Sequence, residues 1–171
     1  EARPHRRLGC SAQRHSAKIA LVSYFEKEED HRDSMGVKKF FGVNIVVKDL
    51  DAAAKKYQGF LGVKPEWTPP EKFAFPGMRG ASFVLPDGVM INLITSTNPE
   101  TSVSKFLERT GEGVFLISLR MENLEKDMEA LTAAGVKLTS PTPLAYEGGK
   151  VNFGHPKTLH GVQIEFIQPD K

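Results

Sequence analysis

Apolar residues in this chain recur with two alternating periods, and the alternation is written twice. VNIVVK (43–48) is rich in β-branched residues and reads as a strand. The segment behind it places Leu50, Ala54, Tyr57 and Leu61 on one stripe of a helix. VFLISLR (114–120) starts the scheme again, with Leu124, Met128 and Leu131 on the second stripe. Asp49 and Asn123 stand where N-caps belong, and Gly62 and Gly135 stand where the helices should stop. Later strands are expected at 63–67, 81–86 and 89–95, and again at 135–139, 150–155 and 162–168. Pro69-Pro70, Pro86-Asp87-Gly88 and Pro141-Thr142-Pro143 supply the breaks. The segment 96–112, containing SKFLERT, links the copies as a short helix.

The repetition extends to the residues themselves. GVMINLIT (88–95) and GVQIEFIQ (161–168) lie 73 positions apart and share Gly, Val, Ile and Ile at matching places. Gly62-Val63-Lys64 and Gly135-Val136-Lys137 keep the same offset, and FVLPDG (83–88) answers FGHPKTLHG (153–161). Three coincidences in one order point to a duplicated strand–helix–three-strand module. The copies differ at one polar place, where Asn92 stands in the first and Glu165 in the second.

Composition narrows the field. At 171 residues the chain has room for one domain with its own core, or for two small fused modules. Hydrophobic content of 40% and charged content of 26% are those of an ordinary soluble protein. A net charge of +2 argues for neither nucleic acid nor a membrane surface as partner, and no apolar run approaches the ~20 residues that cross a bilayer. The single cysteine, Cys10, has no internal disulfide partner, so nothing points to an oxidising compartment and the expected location is cytoplasmic. Cys10 lies outside every periodic segment, which favours an incidental thiol over a nucleophile.

Residues 1–25 hold five Lys/Arg and one acidic residue, and EKEEDHRDS (26–34) then turns acidic. An acid-poor start with Arg and Ser has the character of a transit peptide, whereas the charge cluster at its end argues the other way. Met35 opens MGVKKFFGVNIVVKDL (35–50), which reads like a natural protein start. Residues 1–34 are therefore expected to be a leader, an upstream extension or added residues, with IALVSYF (19–25) the one stretch that could form a strand. Residues 35–171 are expected to form a single domain, with module 1 at about 38–96, a linker at about 97–112 and module 2 at about 113–169.

Paired modules of this length resemble the vicinal oxygen chelate superfamily, which includes glyoxalase I, methylmalonyl-CoA epimerase, extradiol dioxygenases and bleomycin-resistance proteins. The resemblance covers about residues 38–169. FLERTGEGVFLISLRMENLEKDMEALTAAGVKL (106–138) and VNFGHPKTLHGVQIEFIQ (151–168) look most like the second module of the epimerase family. The resemblance implies an α+β fold in which two tandem βαβββ modules form a curved, barrel-like mixed sheet, a cup with helices on the outside. It also implies a homodimer.

Period-2 alternation assigns the faces of the cup. Val43, Ile45 and Val47 point to a helix, which leaves Gly42, Asn44, Val46 and Lys48 on the concave side. Leu116, Ser118 and Arg120 join them, as do Asn92, Gln163 and Glu165 from the last strands. Metal-dependent members of the resembled family take one ligand from the first and one from the last strand of each module. Those places fall here on Gly42, Asn92, Leu116 and Glu165. Catalytic metal sites typically need about three protein ligands and an open position, so no metal and no other cofactor is expected.

Glu165 then reads either as a general base whose pKa is raised by a half-apolar cavity or as a former ligand now paired with a neighbour such as Arg120. Asn44, Asn92, Ser118 and Arg120 are candidate ligand-binding groups. His155 joins them because its His-Pro-Lys stretch lies by the site in the resembled family, although a solvated turn is the plainer reading. His5, His15 and His31 have no companions at metal spacing. Trp67, Phe73, Phe75 and Met78, on the loop 67–79, suit a wall or lid, a satellite core cluster or a dimer contact. Three functions follow from this set. The first is a metal-independent isomerase or lyase in which Glu165 removes a proton α to a carbonyl while Asn92, Asn44 or Ser118 holds the oxyanion. The second is a binding protein that sequesters a small molecule, and the third is an interaction subunit whose cup is a relic. An acyl thioester or an anionic metabolite fits as the ligand.

Overall fold

The computed structural model describes residues 36–73 and 76–170. The expectations for residues 1–34, among them the strand at 19–25, Cys10, His5, His15 and His31, and the one for Phe75, lie outside the described residues. The elements run β1 (Val37–Val46), α1 (Leu50–Leu61), β2 (Glu66–Thr68), β3 (Met78–Val84), β4 (Met90–Ser96), α2 (Ser102–Thr110), β5 (Gly113–Met121), α3 (Leu124–Ala133), β6 (Leu144–Tyr146), β7 (Gly149–Gly154) and β8 (Ile164–Pro169). Short 3-10 turns sit at Pro70–Lys72 and Pro156–Thr158.

The strands form one mixed sheet in the order β2-β3-β4-β1-β5-β8-β7-β6, curled into a half-barrel. β1 runs parallel to β4 and β5 runs parallel to β8, while an antiparallel β1–β5 pair joins the halves. Each half is thus βαβββ, as the repeat requires, and the first strands of both modules meet at the centre of the sheet.

Local chemistry sets the helices. The Asp49 side chain accepts the Ala52 N–H at 2.9 Å to start α1, and Gly62 ends it at φ 69°, where a Cβ would be penalised. Asn123 caps α3 in the same way, accepting the Lys126 N–H at 3.1 Å. Leu50 and Ala54 bury against Val47, Ala81, Phe83 and Leu93 on the convex side of the first half. Leu124 and Leu131 do so against Met121 and Phe166 in the second. Phe83 is fully buried, and truncating such a ring to Ala costs about 3–5 kcal/mol. The linker helix α2 packs Val103, Phe106 and Leu107 over Val46 and Ile94.

Three strand expectations need correction. Residues 135–139 form no strand, and Leu138 makes only an isolated bridge to Gly154. Beyond Thr139 the chain meets Pro141 and Pro143, which have no N–H to give a ladder. The edge strand forms later, at β6, because Glu147 and Gly148 make a tight hairpin into β7 with Gly148 at φ 107°. The strand expected at 63–67 shrinks to Glu66–Thr68. β1 in turn starts at Val37 rather than 43, because pairing to β5 (Val37 opposite Met121) extends it through residues that stay exposed.

Asn152 is fully buried on β7. Its amide donates to the Ser140 carbonyl at 3.0 Å and accepts the Ser140 N–H at 3.3 Å, so it serves to tie down the proline-rich segment. At the two ends of the sheet, Lys72 in the turn after β2 meets Glu147 in the β6–β7 turn at 3.3 Å.

Candidate functional site

Strand register gathers the candidate residues. Asn44 lies opposite Asn92 on one side and Leu116 on the other, while Ser118 lies opposite Gly42 and Glu165. Glu165 in turn lies opposite Phe153. Residues in register project from the same face of a sheet. Their neighbours in sequence, Ile45, Ile91 and Leu93 in one half and Leu119, Ile164 and Phe166 in the other, pack on α1 and α3. Asn92 and Asn44 therefore share one register row of the concave side with Leu116, and Ser118 and Glu165 share the next row with Gly42.

The Ser118 hydroxyl donates to Glu165 Oε2 at 2.5 Å. Ser118 is 1% exposed, so little water competes for either group. Glu165 as a whole residue is half-buried, but its carboxyl is the more deeply enclosed part, and the carboxyl is what titrates. Burial pushes that carboxyl above the ordinary carboxylate range, and the Ser118 hydrogen bond takes part of the rise back. Phe153 beside it, and Val151 opposite Ile167 one step along, provide the apolar surroundings.

Arg120 shares this face, opposite Ile167. It is not what shifts the Glu165 carboxyl, whose hydrogen bond comes from Ser118, so the reading of Glu165 as an Arg120 ion-pair partner is set aside. His155 lies just past β7, where its Nδ1 accepts the Lys157 N–H at 3.1 Å and caps the following turn. Its ring is engaged there rather than with Glu165. Phe73 and Met78 join Phe106 in an apolar cluster, so of the three readings of that loop the satellite core describes these two. Trp67 is 50% exposed and borders a cleft of about 300 Å³ with Asp51, Lys55 and Lys64, outside the cup.

One neighbour of the site escaped the sequence reading. Tyr146, on β6, has its hydroxyl pKa pushed up to about 12 by burial, with the charges of Glu165 and Asp170 adding to the effect. Only the alternation of Leu144-Ala145-Tyr146 ahead of Gly148-Gly149 signalled a strand there. At the four positions where the resembled family places metal ligands stand a glycine, an asparagine, a leucine and a glutamate. A Cβ built on Gly42 would lie 2.4 Å from the Met90 carbonyl oxygen. Among the described residues, no three His, Cys, Asp or Glu side chains gather into a group able to hold a metal ion, and no helix is long and apolar enough to cross a membrane.

Comparison with known proteins follows this architecture. The chain is similar over 133 residues to a mitochondrial methylmalonyl-CoA epimerase of Dictyostelium discoideum, at 25% identity over 77% of this chain and 78% of that one. The crystal structure of methylmalonyl-CoA epimerase from Mycobacterium tuberculosis superposes with a TM-score of 0.72 at 28% identity, over 81% of this chain and 92% of that one. A variant of the Streptomyces coelicolor epimerase in complex with 2-nitronate-propionyl-CoA gives 0.68 at 25% identity, over 79% and 99%. Residues 42–153 match the model of the Glyoxalase/Bleomycin resistance protein/Dioxygenase superfamily, and the chain belongs to that superfamily.

Proposed function

We propose that this protein is an epimerase-type isomerase of acyl thioesters, with Glu165 as the base that removes the α-proton. The observation that carries the reading is the Ser118–Glu165 pair, a carboxyl with raised pKa held at 2.5 Å on the concave face. Ser118 engages Oε2, which leaves Oε1 to take a proton. The Asn92 and Asn44 carboxamides, on the same face one register row away, are the groups proposed to donate to the thioester oxygen as it becomes an enolate oxyanion. For inversion the enolate takes its new proton from water on the face opposite Glu165, and Glu165 releases the abstracted proton to solvent. An acyl-CoA is the expected substrate class, since relatives of this fold bind acyl-CoA ligands.

The reaction is proposed to run without the family's divalent ion. One carboxylate and one amide do not make a donor set for such an ion, and a side chain at position 42 would collide with the β4 backbone. The homodimer and the cytoplasmic location belong to the same proposal and are checked by light scattering and by cell fractionation. A second reading, capture of a small molecule without turnover, is favoured by the same loss of donors at Gly42 and Leu116.

Solvent deuterium exchange into α-acidic acyl-CoA thioesters, methylmalonyl-CoA first, separates the two. Exchange by the wild type that disappears in Glu165→Gln, with thioester binding retained, supports the isomerase. Exchange that persists in the variant removes Glu165 as the base. Tight binding of the thioester with no exchange in the wild type establishes capture instead.

A further inference from the structure

A second buried carboxyl lies outside the cup. Asp127, in the first turn of α3, is 7% exposed. Its Oδ1 accepts the Gly36 N–H at 3.2 Å, and its Oδ2 is buried with no hydrogen-bond partner among the described residues. The N-terminal end of α3 favours a negative charge there. Even so, one neutral N–H and a helix end compensate poorly for removing a carboxylate from water, a penalty of several kcal/mol unless the charge is paired.

The surroundings of Asp127 indicate what would complete it. A Cβ at Gly36 would lie 2.2 Å from Oδ2, so the site has no room for a side chain at position 36. The Gly36 carbonyl is fixed by the Glu122 N–H at 2.9 Å, which holds this residue in line with the start of β1. The nitrogen of Gly36 is thus already presented to the carboxyl. As an amide it offers one hydrogen, whereas as an α-ammonium it would offer three and a positive charge, enough to engage both oxygens. In the sequence, Gly36 directly follows Met35.

We propose that Asp127 is a receptor for a free α-ammonium group on Gly36, and that the Met35–Gly36 bond is a processing site. A peptidase using water would add hydroxyl to the Met35 carbonyl carbon and a proton to the Gly36 nitrogen. At neutral pH the new carboxyl releases a proton and the amine takes one up. Cleavage converts a half-satisfied buried acid into a charge pair, so processing and folding stability are linked.

The experiment uses the full chain with a recognition site for a specific protease introduced immediately before Gly36, compared before and after cleavage. Cleavage should raise the folding equilibrium constant by about tenfold or more, the effect of a charged hydrogen bond replacing a neutral one. The gain should vanish in Asp127→Asn and, if that variant folds poorly, in wild-type protein whose released amine has been acetylated. An unchanged urea midpoint after cleavage, or a gain that survives acetylation, overturns the proposal. The same holds for an intact mass, on protein from its own cells, that places the N-terminus anywhere but Gly36.

Discussion

Ser118 stands to Glu165 as Asn44 stands to Asn92. Each pair is in direct register across a parallel strand pair, one in each half of the sheet. Only the second-half pair couples a hydroxyl to a carboxyl, at 2.5 Å. The chemical consequences can be read from what each partner does to the charge of Glu165.

Ser118 holds the Glu165 pKa down against the effect of burial. Ser118→Ala should therefore move the acid limb of the kcat/KM–pH profile for α-proton exchange to higher pH, while Ser118→Thr, which keeps the hydroxyl, should leave it near the wild-type position. A limb that does not move in the Ala variant would mean that another group sets the pH dependence.

Stability should respond in the opposite sense. The folded-state pKa of Glu165 is raised, so the folded protein holds this proton more tightly than the unfolded chain does. The group's contribution to folding is fully present below the ordinary carboxylate pKa and is lost as pH rises through the raised value. Glu165→Gln cannot ionise and avoids that loss. It should match the wild type in acid and exceed it at neutral pH by about 1–3 kcal/mol, the usual cost of an uncompensated buried polar group. Urea unfolding at several pH values checks this, and a variant less stable than wild type at neutral pH would contradict it.

Tyr146 provides an optical probe of the same carboxyl. Its pKa of about 12 is raised first by burial and then by the negative charges of Glu165 and Asp170. In Glu165→Gln, absorbance titration should show this tyrosine ionising at lower pH, yet still above its ordinary value because burial remains. An unchanged titration would place Tyr146 outside the electrostatic reach of the site.

Gly42 tests whether the sheet can accept a side chain where the resembled family places a ligand. With a Cβ only 2.4 Å from the Met90 carbonyl oxygen, Gly42→Ala should cost about 1–3 kcal/mol through forced displacement of β4. Gly42→His combined with Leu116→His should give an unstable protein rather than a tight zinc site, as read by calorimetric titration. Stoichiometric, tight zinc binding by a well-folded double variant would show that the backbone has not closed over the position.

Much of this was legible in the sequence because the signal was local. Leu50, Ala54, Leu124 and Leu131 repeat at helical spacing, and Asp49 and Asn123 carry the side chains that caps require, so the helices follow from short-range chemistry. Glu165 stood out because duplication provided its own control in Asn92. The misses lie where distant pairing decides. β6 forms where Glu147 and Gly148 allow a hairpin and the prolines before it have ended, and β1 extends to Val37 because β5 supplies partners. Asp127 sits at i+3 from Leu124 and i−4 from Leu131, within the stripe of α3, so its position pointed inward while its charge pointed to solvent, and position won. Tyr146 could not be connected to Glu165 before β6 was placed.

The contact between Lys72 and Glu147 has a kinetic consequence. It joins the turns that follow the two edge strands, so the half-barrel's rim is spanned by side chains where main-chain pairing stops. Both partners are more than half exposed, and ion pairs of that kind are worth about 0–1 kcal/mol. Such a clasp opens at almost no thermal cost and weakens further as ionic strength shortens the reach of its charges, to roughly 8 Å at 0.15 M. A contact that weak cannot hold the rim shut, so the two ends of the sheet can part here without a barrier from this pair at any ordinary salt concentration.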